Sequence, residues 1–124
     1  IYKMNVLILG SGAREHAFAW KLGCSNKLNK LYVAPGNAGT DSIAKNLDID
    51  ITKFEIVKEY IIDLNINLVL VGPEIPLING IVDFLKNDPT LEHTHVLGPS
   101  RKGAKLEGSK DFSKEFMFRN NIPT

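Results

Sequence analysis

An aliphatic run that ends in a glycine turn constrains the folding of this 124-residue chain more than any other feature. Residues 5–9, NVLIL, are aliphatic after the first residue, as expected for a strand buried on both faces of a parallel sheet. Gly10-Ser11-Gly12 follows directly. Residues 14–22 then have the composition of a short, largely buried helix, with Trp20 expected in the core. The chain is therefore predicted to begin with a strand, a glycine-rich turn and a helix.

Further apolar runs predict more strands of the same kind. They lie at residues 30–34 (KLYVA), 67–71 (NLVLV) and 95–97 (HVL), and residues 46–51 form a short alternating segment. Each run is far shorter than the roughly 18 residues that a membrane-spanning helix needs. The sequence therefore predicts a buried sheet and no membrane partner.

Helices are predicted between and after these strands. The capping-box pattern TKFE at residues 52–55 predicts a helix that continues to about residue 64. Another helix is predicted through about residue 86, and Ser109 is placed to cap a last helix at residues 110–119. Strands that alternate with helices at this spacing are typical of βαβ units, so the predicted fold class is α/β, a parallel sheet with helices on both faces.

Charge and cysteine content exclude several functional classes. Fifteen Lys and Arg residues against fourteen Asp and Glu residues give a net charge of +1, with both signs scattered along the chain. No nucleic-acid partner is expected from such a balance. The one cysteine, Cys24, cannot form an internal disulfide, and no Cys/His cluster has zinc spacing, which favours a cytoplasmic location.

The first glycine turn is a candidate phosphate site. In a parallel α/β sheet, ligands bind outside the carboxyl ends of the strands, where glycines and helix amides admit a phosphate group. Arg14 lies in the first turn of the helix, where a guanidinium group suits a phosphate but not the helix dipole. The dinucleotide fingerprint would require glycine in place of Glu15 and an acidic residue after the second strand, and neither is present.

Glycine- and proline-rich loops also follow the other predicted strands. APGNAGT follows the second strand, GPEIPL the third and GPS the fourth. Asn37, Thr40 and Glu74 are expected to offer polar groups to a sugar or an amine, while Gly36 and Gly39 are expected to bring backbone amides close to it. Together these loops predict a polar pocket for a phosphorylated sugar.

Read in order, the motifs GSGAREHA, VAPGNAGT, VGPEIPLINGIVD and LGPSRKGAKLEGSKDFSKEFMFRNNIPT resemble the N-terminal part of the phosphoribosylamine-glycine ligases. The resemblance covers residues 4–124. It departs from the expected pattern at Ala13, where glycine is usual. It implies a Rossmann-like pre-ATP-grasp domain at residues 4–100, followed at 101–124 by a linker and the first helix of an ATP-grasp portion, in a chain that is a fragment of a longer ligase.

The resemblance also implies an activity for the complete ligase. ATP would phosphorylate the carboxylate of glycine, and the amine of 5-phosphoribosylamine would attack the acyl phosphate to give glycinamide ribonucleotide in purine synthesis. ATP and Mg²⁺ or Mn²⁺ are the implied cofactors, with the metal ligands expected beyond residue 124. The partners would be the small substrates and the remaining ATP-grasp domains, and this segment alone would hold no catalytic residue.

The implied site residues follow from the same motifs. Lys110 is similar to the lysine that reaches an ATP phosphate. The residues implied to face the phosphoribosyl substrate lie in three loops: Gly10, Ser11, Gly12, Ala13, Arg14, Glu15 and His16; Gly36, Asn37, Gly39 and Thr40; and Pro73 and Glu74.

Alternatives remain open at this point. His16 and Trp20 are four residues apart on one helix, so a packed, hydrogen-bonded histidine competes with a ligand-binding one. His93 and His95 are expected to be structural or solvated. A dinucleotide-binding module of an oxidoreductase and a non-catalytic sensor of a sugar phosphate are the competing functions for the chain.

Overall fold

A computed structural model describes residues 2–124 and contains one five-stranded sheet in which all the strands are parallel. The strands lie in the order β3-β2-β1-β4-β5. Their bounds are β1 Met4–Gly10, β2 Leu28–Pro35, β3 Lys45–Asn46, β4 Leu68–Val71 and β5 His95–Leu97.

Seven α-helices are found in the described part of the chain, and a 3-10 helix, Pro89–Leu91, precedes β5. Their bounds are α1 Ala13–Gly23, α2 Ala38–Asp41, α3 Phe54–Asp63, α4 Glu74–Ile78, α5 Ile81–Lys86, α6 Arg101–Gly108 and α7 Lys110–Arg119.

The central strand β1 is buried on both faces and divides the core in two. Leu7 and Leu9 belong to the larger cluster, which includes buried side chains of α3 and α5. Val6 and Ile8 point to the other face, where they pack with Ala19 of α1. This alternation follows from the two-residue period of a strand. The predicted fold class, a Rossmann-like parallel sheet with helices on both faces, is confirmed.

The strand order reverses next to β1. The chain proceeds from β1 outward to β2 and β3 on one side, and then crosses to β4 and β5 on the other. The carboxyl ends of β1 and β4 therefore diverge into turns that lead in different directions. Crevices of this kind are where ligands bind in open α/β sheets.

The predicted capping box at the start of α3 is wrong. The N-cap residue of α3 is Lys53, and no side chain caps this helix. The Thr52 hydroxyl instead donates to Asp50 Oδ1 at 2.6 Å, and the Thr52 amide bonds the same oxygen at 3.0 Å. Asp50 competes with the start of α3 for the Thr52 side chain, and it prevails because an Asx turn satisfies two donors of Thr52 before the helix begins.

Two other predicted elements differ from the structure, and one helix was not predicted. The helix expected through residue 86 is two helices, α4 and α5, because Gly80 takes a left-handed φ of 90° between them. The segment expected at 46–51 pairs with the sheet only through Lys45–Asn46. Helix α6 was not predicted; the Ser100 hydroxyl accepts the Gly103 amide at 3.1 Å and caps it.

Trp20 is also misplaced by the sequence analysis. Its side chain is 62% exposed, so it is not a core residue. Helix α1 buries only Glu15 and Ala19 and rests on the sheet through Phe18 and Leu22. Apolar residues on most sides of a short helix do not specify which side meets the sheet.

Candidate functional site

A cleft of about 600 Å³ opens at the carboxyl ends of β1 and β4, where the strand order reverses. The turn after β1 forms one side, and the start of α4 forms the other. The residues that line it are Gly10, Ser11, Gly12, Ala13, Arg14, Glu15, Pro35, Ile51, Thr52, Gly72, Pro73, Glu74, Ile75 and Pro76. The cleft thus brings together the first and third predicted loops, except for His16.

The turn after β1 is held by the side chain of Glu15. This residue is 5% exposed, and its Oε1 atom accepts the Gly12 amide at 3.1 Å. Glu15 is the third residue of α1, and Gly12 is its N-cap. Its carboxylate therefore satisfies one of the amides that every helix leaves unpaired at its start, and favours the positive end of the helix dipole.

The glycines around Glu15 make room for its side chain. A Cβ atom on Gly10, which has a φ of 136°, would overlap the Glu15 carboxylate, and one on Gly72 would lie 2.5 Å from Glu15 Oε2. Glu15 thus fits between the ends of β1 and β4. The structure assigns it a scaffold contact where the sequence analysis expected a group beside the substrate.

Arg14 crosses the cleft from α1 to the end of β4. Its side chain is exposed, and one guanidinium nitrogen donates to the Gly72 carbonyl at 3.0 Å. A guanidinium group has five donors, so this contact leaves most of them available. Ser11 and Ala13 are exposed at the same turn, so this end of the cleft has the donors and the positive charge that suit an anion.

Glu74 faces Arg14 from the start of α4. A hydrogen bond with the carboxyl group of Glu107 raises the pKa of Glu74, and charge repulsion from Glu107 and loss of hydration act in the same direction. The positive charge of Arg14 lowers it in part. The cleft therefore holds a cationic and a carboxyl group near each other, an arrangement suited to a ligand that carries both a phosphate and hydroxyl or amine donors.

The second predicted loop does not line the cleft. Asn37 lies against the back of the first turn, where its Nδ2 atom donates to the Ser11 carbonyl at 2.9 Å. Its Oδ1 atom accepts the Thr40 amide at 2.9 Å and caps α2. Asn37 therefore fixes the shape of the glycine turn from outside.

Thr40 is not available to a ligand. Its side chain is fully buried, and its hydroxyl group lies 2.7 Å from Asn46 Oδ1 and 2.8 Å from the Asn37 amide. The expectation that Thr40 offers a hydroxyl group to a sugar is thus corrected. A buried hydroxyl group with its hydrogen bonds satisfied stabilises the loop.

Gly36, Gly39 and His16 also contribute to this scaffold. Gly36 has a φ of 78°, and a Cβ atom there would overlap the Asn46 side chain. A Cβ atom on Gly39 would lie 2.6 Å from His16 Nδ1, so the exposed imidazole ring rests against the backbone of α2. His16 rests on Gly39, and it does not line the cleft.

Six residues that line the cleft were not predicted as site residues, and two of them, Pro35 and Gly72, lie at the ends of β2 and β4. Ile51 and Thr52 come from the loop before α3, and Ile75 and Pro76 from α4. Ile75 is 65% exposed and gives this side of the cleft an apolar surface. The apolar residues Ile75 and Pro76 in the sequence EIPL, which follows a strand, could have indicated this apolar wall.

Lys110 lies in a different groove from the sugar-facing residues. It is the exposed first residue of α7, which Ser109 caps through the Phe112 amide at 3.3 Å. A groove of about 390 Å³ between α6 and α7 contains Lys110, Lys114 and Glu107. Two ammonium groups at the start of a helix are a suitable surface for a phosphate chain.

Among residues 2–124, no group of three or more His, Cys, Asp and Glu side chains could hold a metal ion. None of the helices in the same range is long and apolar enough to cross a membrane.

The fold and the cleft define a class: parallel α/β proteins of the Rossmann-like type, with a ligand site at the carboxyl edge of the sheet. Within that class, the chain belongs to the family described as phosphoribosylglycinamide synthetase, N domain, whose profile matches residues 4–107. The resemblance found in the sequence motifs is thereby confirmed.

Named relatives agree with this assignment. The phosphoribosylamine–glycine ligase of Mesorhizobium japonicum is 50% identical over 121 residues, which span 98% of this chain and 28% of the relative. The bifunctional purine biosynthetic protein purD of Dictyostelium discoideum is 44% identical, over 98% of this chain and 15% of its own length.

A solved structure shows the same fold. The crystal structure of a phosphoribosylamine–glycine ligase from Thermotoga maritima aligns with a TM-score of 0.66 at 29% identity, over 97% of this chain and 26% of that one. The chain therefore spans only about a quarter of the length of these ligases.

Proposed function

We propose that this chain supplies the sugar-phosphate-binding part of an ATP-dependent ligase that joins glycine to 5-phosphoribosylamine. The observation that carries the proposal is the position of Arg14, which lies at a glycine-rich helix start and in one cleft with Glu74. The names of the relatives support the same activity.

Within this proposal, the residues of the chain bind and orient the sugar. Arg14 and the amides at the start of α1 hold the phosphate, and Glu74 accepts from the ribose hydroxyl groups or the amine. Ile51 and Ile75 cover the apolar face of the ring and exclude water from the amine. Ser11, Gly12, Ala13 and Pro73 leave the backbone accessible at this position, whereas the buried Gly10 makes room for the Glu15 carboxylate.

ATP and a divalent cation belong to the same proposal. ATP, when bound, supplies the phosphoryl group that makes the glycine carboxylate reactive. Lys110 would hold one of its phosphates, which is compatible with the two exposed lysines of the α6–α7 groove. The cation ligands are expected outside this chain, as are the other ATP-grasp domains. A cytoplasmic location, a boundary near residue 100 and an ATP-grasp start at 101–124 remain predictions.

The proposal is tested by replacing Arg14. Arg14→Ala should weaken binding of ribose 5-phosphate by about 1.5 to 3 kcal/mol, roughly 10- to 150-fold, because a charge-assisted hydrogen bond is lost. Isothermal titration calorimetry measures the effect. In the full-length ligase, the KM for phosphoribosylamine should rise far more than those for ATP and glycine.

Arg119→Ala is the matched control, because Arg119 is an exposed arginine of α7 that does not line the cleft. It should leave the affinity unchanged. Equal affinities of wild type and Arg14→Ala for ribose 5-phosphate would contradict the proposal. Tight binding of NADH in the same titration would instead support the dinucleotide-binding alternative.

A further inference from the structure

Asn37 forms hydrogen bonds within the protein through all of its polar atoms. Its backbone amide donates to the Thr40 hydroxyl group at 2.8 Å, and its backbone carbonyl accepts from Asn46 Nδ2 at 2.8 Å. Its side-chain Oδ1 atom accepts the Thr40 amide at 2.9 Å. Its Nδ2 atom donates to two successive carbonyls of the first turn, those of Ser11 at 2.9 Å and Gly12 at 3.3 Å. A side-chain amide has only two N–H groups, so no donor of Asn37 remains for a ligand.

The loop that carries Asn37 is itself attached to the sheet at two places. The Thr40 side chain is fully buried, and its hydroxyl group donates to Asn46 Oδ1 at 2.7 Å. Asn46 belongs to β3, which pairs with β2. The Gly36 amide donates to the Gly10 carbonyl at 3.0 Å, which joins the loop to the end of β1. A buried and satisfied polar network of this kind is rigid, so Asn37 meets the first turn from a fixed position.

The carbonyls that Asn37 holds set the direction of the amides that follow them. A trans peptide group points its N–H away from its C=O, and the Ser11 carbonyl shares a peptide group with the Gly12 amide. The Gly12 amide accordingly points away from Asn37 and donates to Glu15 Oε1 at 3.1 Å. Asn37 follows β2, whereas Glu15 lies between the ends of β1 and β4, so the carbonyl and the amide face opposite sides of the turn.

The next peptide group has the same orientation. Its carbonyl, on Gly12, also accepts the His16 amide at 3.1 Å as α1 begins. Its amide, on Ala13, is turned away from Asn37, and Ala13 lines the cleft. Ala13 is the first residue of α1, so its amide has no partner within the helix. An anion in the cleft can accept from this amide, whereas a rotated peptide group would place a carbonyl oxygen there.

We propose that Asn37 is a positioning residue: by holding the Ser11 and Gly12 carbonyls, it turns the amides at the start of α1 toward the phosphate group of the sugar. The inference rests on the proposed function, in which these amides and Arg14 bind the phosphate. Asn37 acts through the backbone and does not touch the ligand, in contrast to the direct contact expected from the sequence. Without its side-chain amide, the two peptide groups can rotate, and a carbonyl dipole that faces the cleft repels the phosphate.

Two substitutions remove the donor of Asn37 and keep an N-cap for α2. Asn37→Ser retains an oxygen for the Thr40 amide but is too short to reach the carbonyls of the first turn. Asn37→Asp has nearly the same shape and also caps, but it presents an oxygen where the amide group donated. Asn26→Ser and Asn26→Asp are the matched controls, because Asn26 is an exposed asparagine before β2 and does not line the cleft.

Isothermal titration calorimetry with ribose 5-phosphate measures the affinity of the folded chain. Asn37→Ser should weaken binding about 5- to 10-fold, the effect of one hydrogen bond. Asn37→Asp should weaken it further, because its carboxylate repels the two carbonyls. Both Asn26 variants should bind like wild type. A loop that only stabilised the fold would leave the affinity of the folded Asn37 variants unchanged.

NMR of the 124-residue chain separates positioning from direct contact. Ribose 5-phosphate should shift the backbone amide signal of Ala13 in wild type and leave the side-chain amide signal of Asn37 in place. Before any ligand is added, the carbonyl ¹³C signals of Ser11 and Gly12 should differ between Asn37→Ser and wild type, since they lose their donor. The same signals should be unchanged in Asn26→Ser.

Three outcomes would overturn the inference. Wild-type affinity in folded Asn37→Ser and Asn37→Asp would refute the positioning role, and a ligand-induced shift of the Asn37 side-chain amide would show a direct contact instead. Unchanged carbonyl signals of Ser11 and Gly12 in Asn37→Ser would refute the hold on the turn. If the wild-type chain does not bind ribose 5-phosphate, the proposed function fails, and the carbonyl signals then decide by themselves whether Asn37 orients the turn.

Discussion

At the scale of single residues, Glu15 shows how an acidic side chain in a glycine-rich turn can serve the fold. Its carboxylate is buried between the ends of β1 and β4 and accepts the Gly12 amide. A dinucleotide-binding turn has glycine at this position so that helix and strand can pack closely. Here the space is occupied by a charged group that the backbone satisfies.

Replacing Glu15 should therefore destabilise the protein. Glu15→Ala should cost about 1 to 2 kcal/mol, because an N-terminal amide of α1 loses its partner. Glu15→Gln retains an acceptor and should cost less. Urea denaturation measures both, with Glu59→Ala on the exposed side of α3 as a control. Equal stability of Glu15→Ala and wild type would show that the contact contributes nothing.

The residue roles could be predicted in part. Residue type and strand-end position were enough to select Arg14 and Glu74, which line one cleft. Asn37, which was expected to offer its amide to the sugar, instead donates to the Ser11 carbonyl outside the cleft. Residue type and position did not indicate where a side chain points. Thr40 has the same hydroxyl group whether it faces a ligand or, as observed, Asn46. Burial of a side chain depends on neighbours distant in sequence, which composition does not encode.

At the scale of elements, two helix starts with similar sequence signals behave differently. Ser100 caps α6 and accepts the Gly103 amide, whereas Thr52 bonds Asp50 and leaves α3 without a side-chain cap. The strand β5 and the helix α7 have the bounds predicted from sequence. Helix α6 was not predicted, because its sequence is rich in glycines and charged residues and its apolar face, which contains Ala104, is short.

The two caps can be compared by substitution. Ser100→Ala should destabilise the protein by about 1 kcal/mol, the usual value of an N-cap serine. Thr52→Ala should stay within about 0.5 kcal/mol of wild type, as for an exposed side chain that caps no helix. The difference between the two free energies of unfolding, from urea titrations, is the measurement. A larger loss of stability for Thr52→Ala than for Ser100→Ala would instead indicate that Thr52 caps α3.

An ion pair ties α3 to the 3-10 helix. Lys58 Nζ lies 2.6 Å from Asp88 Oδ2, and Thr90 donates to Asp88 Oδ1 from its hydroxyl group and amide. The hydrogen bond with Lys58, followed by those with Thr90, lowers the pKa of Asp88 to about 2. A lowered pKa in the folded state stabilises the fold above the ordinary value of 3.8, and this contribution is lost as the pH falls toward 2.

Asp88→Asn should therefore lower the urea midpoint at pH 7 but have little effect near pH 2, where wild-type Asp88 becomes protonated. Lys58→Met should behave in the same way, since it removes the other charge. Asp63→Asn, at an exposed position in α3, is the control and should show no such pH dependence. A constant difference between wild type and Asp88→Asn from pH 7 to pH 2 would contradict the assignment.

At the scale of the whole molecule, strand order explains what the sequence could not specify about the site. The loops after β2 and β4 lie on opposite sides of β1, and they contribute unequally to the cleft: β2 supplies only its last residue, Pro35, whereas the chain after β4 supplies residues 72–76. Four polar loops at one sheet edge were predicted from the alternation of strands and helices. Which two of them would enclose the cleft depended on the crossing from β3 to β4, for which the sequence contains no local signal.

Local stability should also differ between α7 and the elements that contribute to the core. Of the described residues, none in α7 is buried, whereas α3, a helix of the same length, buries Val57 and Ile61. Hydrogen exchange of the 124-residue chain should therefore be fast in α7, slower in α3 and slowest in β1, since protection follows buried packing. Equal protection of α3 and α7 would contradict this expectation.

The close fit of Gly10, Glu15 and Gly72 has a consequence for how the sequence can diverge. A methyl group on either glycine collides with the same carboxylate, so neither position can drift alone. Shortening Glu15 first would open the space, and a later alanine at Gly72 could then act as its suppressor. In a library randomised at these three positions, a substitution at either glycine should be recovered mainly together with a smaller residue in place of Glu15. Gly10 should tolerate the fewest substitutions, because its φ of 136° also disfavours a side chain.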